Sequence, residues 1–139
     1  MNSPSPTTKR ESPAPGARAK LKRRVRQAWT QWVPKLVAAY PMLFVAVPSD
    51  IRKPLARNLL VAMEHKGDLP LPRNTLISAL RIYTSNVHYK LALSRTKVRY
   101  DLDGLPCGRV TADERRSAAL EAVALKAKLR KAAKRKRRK

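Results

Sequence analysis

Apolar side chains in this chain fall into short stripes of helical spacing, separated by prolines, glycines and one alternating stretch. Trp29, Trp32, Val33, Leu36, Val37 and Tyr40 recur at near-helical intervals, which predicts an amphipathic helix. Pro34 interrupts it, so the pattern predicts a helix restarting near Val33, with Pro34 in its first turn, and ending before Pro41. A second helix is predicted from Pro54, with Leu55, Leu59, Leu60 and Met63 on one face and a stop at Gly67. A third begins near Pro72, carries Leu76, Ala79, Leu80 and Tyr83 as its apolar stripe, and ends around Thr84. A short fourth covers residues 85–93.

The period then changes. From Lys97 to Asp101 the chain alternates, with Val98 and Tyr100 on one side and Lys97 and Arg99 on the other. Asp103-Gly104 is a hairpin turn signal that returns the chain through Cys107 to Val110. Thr111 and Glu114 form a capping box that opens a long helix rich in Ala and Leu. Leu120, Val123 and Ala127 are read as its inner face, and beyond Leu129 little is left to bury, so fraying is expected there. The fold class is therefore mainly α: a compact helical domain with one small β-hairpin.

The 139 residues suit one domain with extensions. Residues 1–17, with Pro4, Pro6, Pro13 and Pro15, read as disordered, and a basic helical segment begins near Arg18. The division expected is an N-terminal basic extension over residues 1–27, a domain over 28–120 and a basic helical extension over 121–139. No sustained heptad seam is present, which predicts a monomer.

Charge changes the picture more than any single residue. The formal net charge is +23, of which residues 1–27 carry +7 and residues 126–139 carry +10, leaving +6 for the segment between. Polycationic ends repel themselves until a polyanion neutralises them. A nucleic acid partner is expected, with an anionic membrane surface as its competitor. No apolar run approaches the ~20 residues of a membrane span, and the first sixteen residues lack an apolar signal core, so a cytoplasmic protein is expected.

Catalytic chemistry finds no foothold. His65 and His88 stand alone, Asp101 and Asp103 belong to a turn, and four glycines form no phosphate loop. The single Cys107 excludes an intramolecular disulfide and a cysteine-rich zinc site, and is read as a small buried residue beside the turn. Neither an enzyme nor a cofactor is expected.

The polar residues are more informative. Arg73, Ile77 and Arg81 follow at i, i+4 and i+8 opposite the buried stripe, placing two guanidiniums on one exposed face. Thr84-Ser85-Asn86 can break one helix and cap the next, and a helix N-terminus offers unpaired N–H groups suited to phosphate or a terminal ribose. Tyr89 either stacks on a base or packs in the core. Arg99 projects from the hairpin face opposite Val98 and Tyr100.

Three segments, in order, resemble the ProQ/FinO family of bacterial RNA-binding proteins. They are Lys53-Pro54-Leu55; Leu80-Arg81-Ile82-Tyr83-Thr84-Ser85 with Tyr89; and Val98-Arg99-Tyr100-Asp101-Leu102-Asp103-Gly104-Leu105-Pro106-Cys107-Gly108. The resemblance spans residues 40–116. It implies a concave helical domain that binds the foot of an RNA hairpin and its 3′ single-stranded, U-rich end, acting as an RNA chaperone for small regulatory RNAs and mRNA 3′ ends. It assigns Lys53, Arg73, Arg81, Thr84, Ser85, Tyr89, Lys97 and Arg99 to the RNA face, whereas Tyr83, which faces the apolar stripe of its helix, is assigned to the core. Ala56, Ile77, His88 and Lys90 depart from the family pattern, with Lys90, Arg57 and the tails available to offset lost cations. Pro72 stands where a polar helix cap is common. The rival reading is a nucleoid or ribosome-associated structural protein that binds nucleic acid through charge alone.

Overall fold

In the computed structural model, which describes residues 15–50 and 52–138, the first helix is α1 (Pro15–Gln27). Its Ala, Lys, Arg, Leu and Gln residues are good helix formers, and Pro15 occupies the first position, where its missing N–H costs nothing. Residues 16–27 are all exposed. Helix is thus present from Pro15 rather than from Arg18, and the expected disorder of residues 1–14 lies outside the described residues.

Helix restarts at Val33 with Pro34 in its first turn, as the pattern implied, but the chain before it stays helical instead of breaking. A π-helical turn (Ala28–Trp32) joins α1 directly to α2 (Val33–Ala39), and the Val33 N–H reaches back five residues to the Ala28 carbonyl. Widening the turn absorbs the missing N–H of Pro34, which sits in the first turn of α2. The helical rod then runs to Ala39, and Tyr40, at φ −136° and ψ 70° before Pro41, ends it.

The second predicted helix starts later than Pro54. Residues 54–56 are extended and lie beside the hairpin: the Tyr100 N–H donates to Pro54 O (2.8 Å) and the Ala56 N–H to Tyr100 O (2.9 Å). Helix α3 (Leu59–Lys66) follows a turn at Asn58, whose φ of 59° is left-handed. The edge pairing outweighs the helical spacing of Leu55, which is buried anyway. Gly67, at φ 78°, closes α3 as read from sequence.

Helices α4 (Arg73–Thr84) and α5 (Val87–Arg95) meet at a sharp corner. Beyond them, β1 (Val98–Tyr100) and β2 (Pro106–Arg109) pair antiparallel, with an irregularity between Val98 and Tyr100. Asp101 Oδ1 accepts from the N–H groups of Asp103 (2.9 Å) and Leu105 (3.0 Å), building the turn. Gly104 is obligatory there: its φ is 77°, and a Cβ would sit 2.7 Å from Met42 O. Cys107 is exposed, contrary to the buried position expected, because every β2 residue faces solvent.

The core gathers Val33, Leu36, Tyr40, Leu43, Phe44, Leu55, Leu59, Met63, Leu71, Leu76, Ala79, Tyr83, Tyr89 and Leu102. The stripes of α2, α3 and α4 therefore converge as their periodicity implied, each large side chain contributing about 1.5–3 kcal/mol of burial. Helix α6 (Ala112–Arg138) packs on α5 through a different face from the one predicted. Ala118 and Ala122 are buried and Leu125 half-buried, whereas Leu120 and Val123 are 73% and 66% exposed. Small side chains allow close helix approach, so the alanine face wins over the bulkier one. The helix persists to Arg138 and does not fray at Leu129.

Candidate nucleic-acid interface

The corner between α4 and α5 is made by residues 84–86, and each plays a different part. Asn86 is the cap of α5: its side-chain oxygen accepts from the His88 N–H at 2.8 Å. Thr84 and Ser85 instead turn back onto α4. The Thr84 hydroxyl donates to Leu80 O (3.0 Å) and Arg81 O (3.2 Å), and the Ser85 hydroxyl to Arg81 O (2.6 Å). Of the three residues that could cap the next helix, Asn86 does so, while Thr84 and Ser85, which the sequence pattern also allows as caps of a phosphate site, do not. The other first-turn N–H groups of α5 have no intrahelical acceptor, and the N-terminal dipole favours an anion there.

Arg81 lies on the exposed side of α4 one turn before this corner. Among the described residues it has no carboxylate partner, and the same holds for exposed Lys97. The remaining cations of the predicted face are engaged. Arg73 pairs with Glu64 at 3.0 Å. Lys53 donates to Met42 O at 2.9 Å and lies 5.4 Å from the Tyr100 ring centroid. Arg57 and Lys90, which sequence offered as substitutes, pair with Glu114 (2.7 Å) and Glu121 (3.3 Å).

Arg99 is built into the scaffold, contrary to its expected solvent-facing position. Its guanidinium donates to Leu55 O (3.0 Å) and to Glu114 Oε2 (2.9 Å), clamping hairpin, edge segment and α6 together. Glu114 completes the capping box: its Oε1 accepts from the Thr111 N–H (2.9 Å), and the Thr111 hydroxyl accepts from the Glu114 N–H (3.1 Å). The Thr111 N–H bond, with help from Arg99 and Arg57, holds the Glu114 carboxyl below the usual carboxylate range. Its folded pKa is depressed, so its contribution is fully present above the ordinary carboxylate range and is lost as pH falls through the folded value. Acid titration followed by NMR should show the Thr111 amide and the Arg99 guanidinium signals losing their folded shifts together below that range. A Glu114→Gln variant should show no such joint change.

Tyr89 belongs to the core. It is 3% exposed, its hydroxyl accepts from the Leu55 N–H at 2.9 Å, and burial pushes its phenol up. Its ring sits edge-on to Tyr83 at 6.1 Å, so no face is open for stacking on a base. Tyr83, assigned to the core from sequence, is fully buried there. It stacks on Trp29 at 5.6 Å, meets the Phe44 edge at 5.1 Å, and accepts from the Val45 N–H through its hydroxyl.

One functional support escaped the sequence: Arg52, 2% exposed. Its guanidinium donates to Tyr83 O at 2.8 Å and to Pro48 O, and lies 4.7 Å from the ring centroids of both Trp29 and Tyr83. It thus holds the last turn of α4 beside the corner. Burial lowers its pKa from the ordinary arginine value. Its only sequence signal is adjacency to Lys53-Pro54-Leu55, which says nothing of burial.

Beside the corner a groove of about 310 Å³ is lined by Ser85, Lys90, Glu121, Ala124 and Leu125. The basic run of α6 starts at Lys126, immediately beyond it. Arg81 and the α5 N-terminus thus adjoin the corner on one side of this groove, and the basic half of α6 begins at its far end. No metal-binding cluster of acids, His and Cys occurs among the described residues, and no described helix is long and apolar enough to cross a membrane.

Two solved structures share this architecture. A ProQ homolog from Legionella pneumophila, determined in solution, is 21% identical with a TM-score of 0.51, over 71% of this chain and 80% of that one. A FinO-like RNA chaperone from Neisseria meningitidis MC58 is 20% identical with a TM-score of 0.52, over 89% of this chain and 98% of that one. The sequence pattern of the ProQ/FINO family matches residues 17–138, from α1 to the end of α6, and this chain belongs to that family.

Proposed function

We propose that this protein is an RNA chaperone that holds structured transcripts at their 3′ ends, as at a terminator-type hairpin with a single-stranded U-rich tail. The observation that carries this reading is the unpaired Arg81 one turn from an Asn86-capped helix N-terminus, with the basic half of α6 alongside. First-turn N–H groups suit terminal ribose or phosphate oxygens, and Arg81 neutralises an adjacent phosphate. Arg73 lies two turns before Arg81 on α4, and Lys97, beyond the far end of α5, is the other exposed cation of the predicted set without a carboxylate partner among the described residues. Lys53, Tyr89 and Arg99 support the proposed RNA face from behind. The polycationic ends add affinity without sequence preference through counterion release.

The partners would be small regulatory RNAs and mRNA 3′ ends, met by a cytoplasmic monomer. Binding and strand rearrangement require no cofactor. The Neisseria relative is itself a FinO-like RNA chaperone. The charge of +23 also supports a nucleoid or ribosome-associated protein with no 3′-end preference.

One titration separates these readings. A hairpin with a free 3′ hydroxyl and the same hairpin with a 3′ phosphate are compared at fixed salt, with duplex DNA as competitor. The wild-type protein should distinguish the two hairpins and prefer either to duplex. Equal affinity for all three removes the 3′-end pocket and leaves a generic basic surface.

A further inference from the structure

We propose that the cleft between the N-terminal rod and α4 is a second RNA site, one that takes an unpaired nucleotide. The inference rests on the reading of this protein as RNA-binding, but uses residues outside the corner. The cleft, about 330 Å³, is lined by Arg24, Gln27 and Trp32 from the rod and by Asn74, Thr75 and Ser78 from α4.

The rod wall owes its composition to the π turn. Hydrogen bonds five residues apart stack residues five apart, so Gln27 and Trp32 come onto one side, which an α-helix would have splayed. Pro34 is the covalent reason for that turn. Trp32 is half-buried, leaving part of its indole surface open, and Arg24 is exposed at the rim.

The α4 wall has polar groups to spare. Thr30, Thr84, Ser85, Ser94 and Thr96 all turn their hydroxyls back onto helix carbonyls. Ser78, equally able to reach the Asn74 carbonyl, does not, and among the described residues the side chains of Asn74 and Thr75 also make no intramolecular hydrogen bond. The cleft therefore presents part of an indole, a guanidinium, the free amide of Asn74 and that of Gln27, whose Nε2 also donates to Gln31 Oε1 (3.4 Å), two hydroxyls, and no carboxylate. That set matches a base to stack, a base edge to pair, a 2′-hydroxyl to bond and a phosphate to neutralise. An anionic lipid surface would use the cation alone.

The cleft is also in register with the corner. Asn74, Ser78, Arg81 and Ser85 lie at i, i+4, i+7 and i+11, one stripe about 16 Å long on α4. A single strand leaving the corner at Ser85 would pass Arg81 and enter the cleft within a few nucleotides.

The test is an NMR titration of the full chain with a short oligouridylate and with the tailed hairpin, following the two tryptophan indole N–H signals and the amides of Ser85 and Asn86. The Trp32 signal should shift at saturation, and that of Trp29, held between Tyr83 and Arg52, should move far less. An Asn74→Ala/Ser78→Ala double variant should bind the tailed hairpin about three- to tenfold more weakly, bind a blunt hairpin as wild type does, and keep the distinction between 3′ hydroxyl and 3′ phosphate. If the Ser85 and Asn86 amides shift while Trp32 stays still, the cleft is not a site and the 3′-end reading stands. If Trp32 shifts while the corner amides do not, the cleft stands and the 3′-end reading falls. Equal weakening toward tailed and blunt hairpins in the double variant also overturns the proposal.

Discussion

Arg81→Ala should bind a tailed hairpin about five- to tenfold more weakly than wild type while unfolding at the same denaturant concentration. The side chain is exposed on α4 and no acidic group among the described residues neutralises it. Its removal leaves no cavity and no orphaned partner. Its loss should lower the slope of log affinity against log salt by about 0.7, the share of one single-strand phosphate contact. Arg81→Lys keeps the charge but not the two-pronged geometry, so it should recover the slope and only part of the affinity. Binding measured at several salt concentrations checks both parts. An unchanged slope in Arg81→Ala means that no phosphate sits there.

The contrast between Arg81 and Arg99 shows where sequence is legible and where it stops. The sequence pattern marks both as exposed guanidiniums, by helix phase in one case and strand alternation in the other. Helix phase succeeded, because α4 is a full amphipathic helix whose two faces the core keeps apart. Alternation failed, because a three-residue strand at the margin of a domain acquires neighbours that its own pattern does not encode. The extended segment around Leu55 and the first turn of α6 close over Arg99 from distant parts of the chain. The same cause delays α3. Leu55 carries a helical period, but its neighbours Pro54 and Ala56 are taken by pairing with Tyr100, a contact some 45 residues away in sequence.

Local chemistry was more transparent. The Thr111 and Glu114 box, the Gly67 stop and the tight turn at Gly104 depend on residues within a few positions of each other, and each formed as read. The misassigned face of α6 has the opposite origin. Its Ala, Leu and Val residues are spread round the helix, so only the shape of α5 could choose among them, and it chose Ala118 and Ala122. At the corner, composition named three candidates and geometry selected Asn86. The cap is decided by which residue leaves the helical φ/ψ region, with Asn86 at φ −77° and ψ 146°.

Arg52→Ala should cost about 3–5 kcal/mol of folding stability, the largest effect expected of any single cation in the chain. A buried guanidinium without a carboxylate in contact is unfavourable by several kcal/mol of desolvation. Two charge-assisted bonds to carbonyls offset this by about 1.5–3 kcal/mol each. Two desolvated aromatic faces add about 2 kcal/mol each. The Nε–H finds no partner, which trims the surplus. Deleting the side chain leaves a void beside Trp29 and Tyr83 and strips the carbonyls of Tyr83 and Pro48 of their donor. Arg52→Met separates the two contributions, because it refills much of the volume without restoring either hydrogen bond. It should lose about 2–3 kcal/mol, mainly from the two carbonyls. Denaturant unfolding of the three proteins at one salt concentration provides the comparison. Since Tyr83 immediately precedes Thr84, the hydrogen bond also anchors the corner. Under conditions where Arg52→Met remains folded, it should bind both 3′-hydroxyl and 3′-phosphate hairpins but distinguish them less sharply. A variant that unfolds at the wild-type midpoint would mean that aromatic packing alone sets this part of the core, and that Arg52 is carried there without structural consequence.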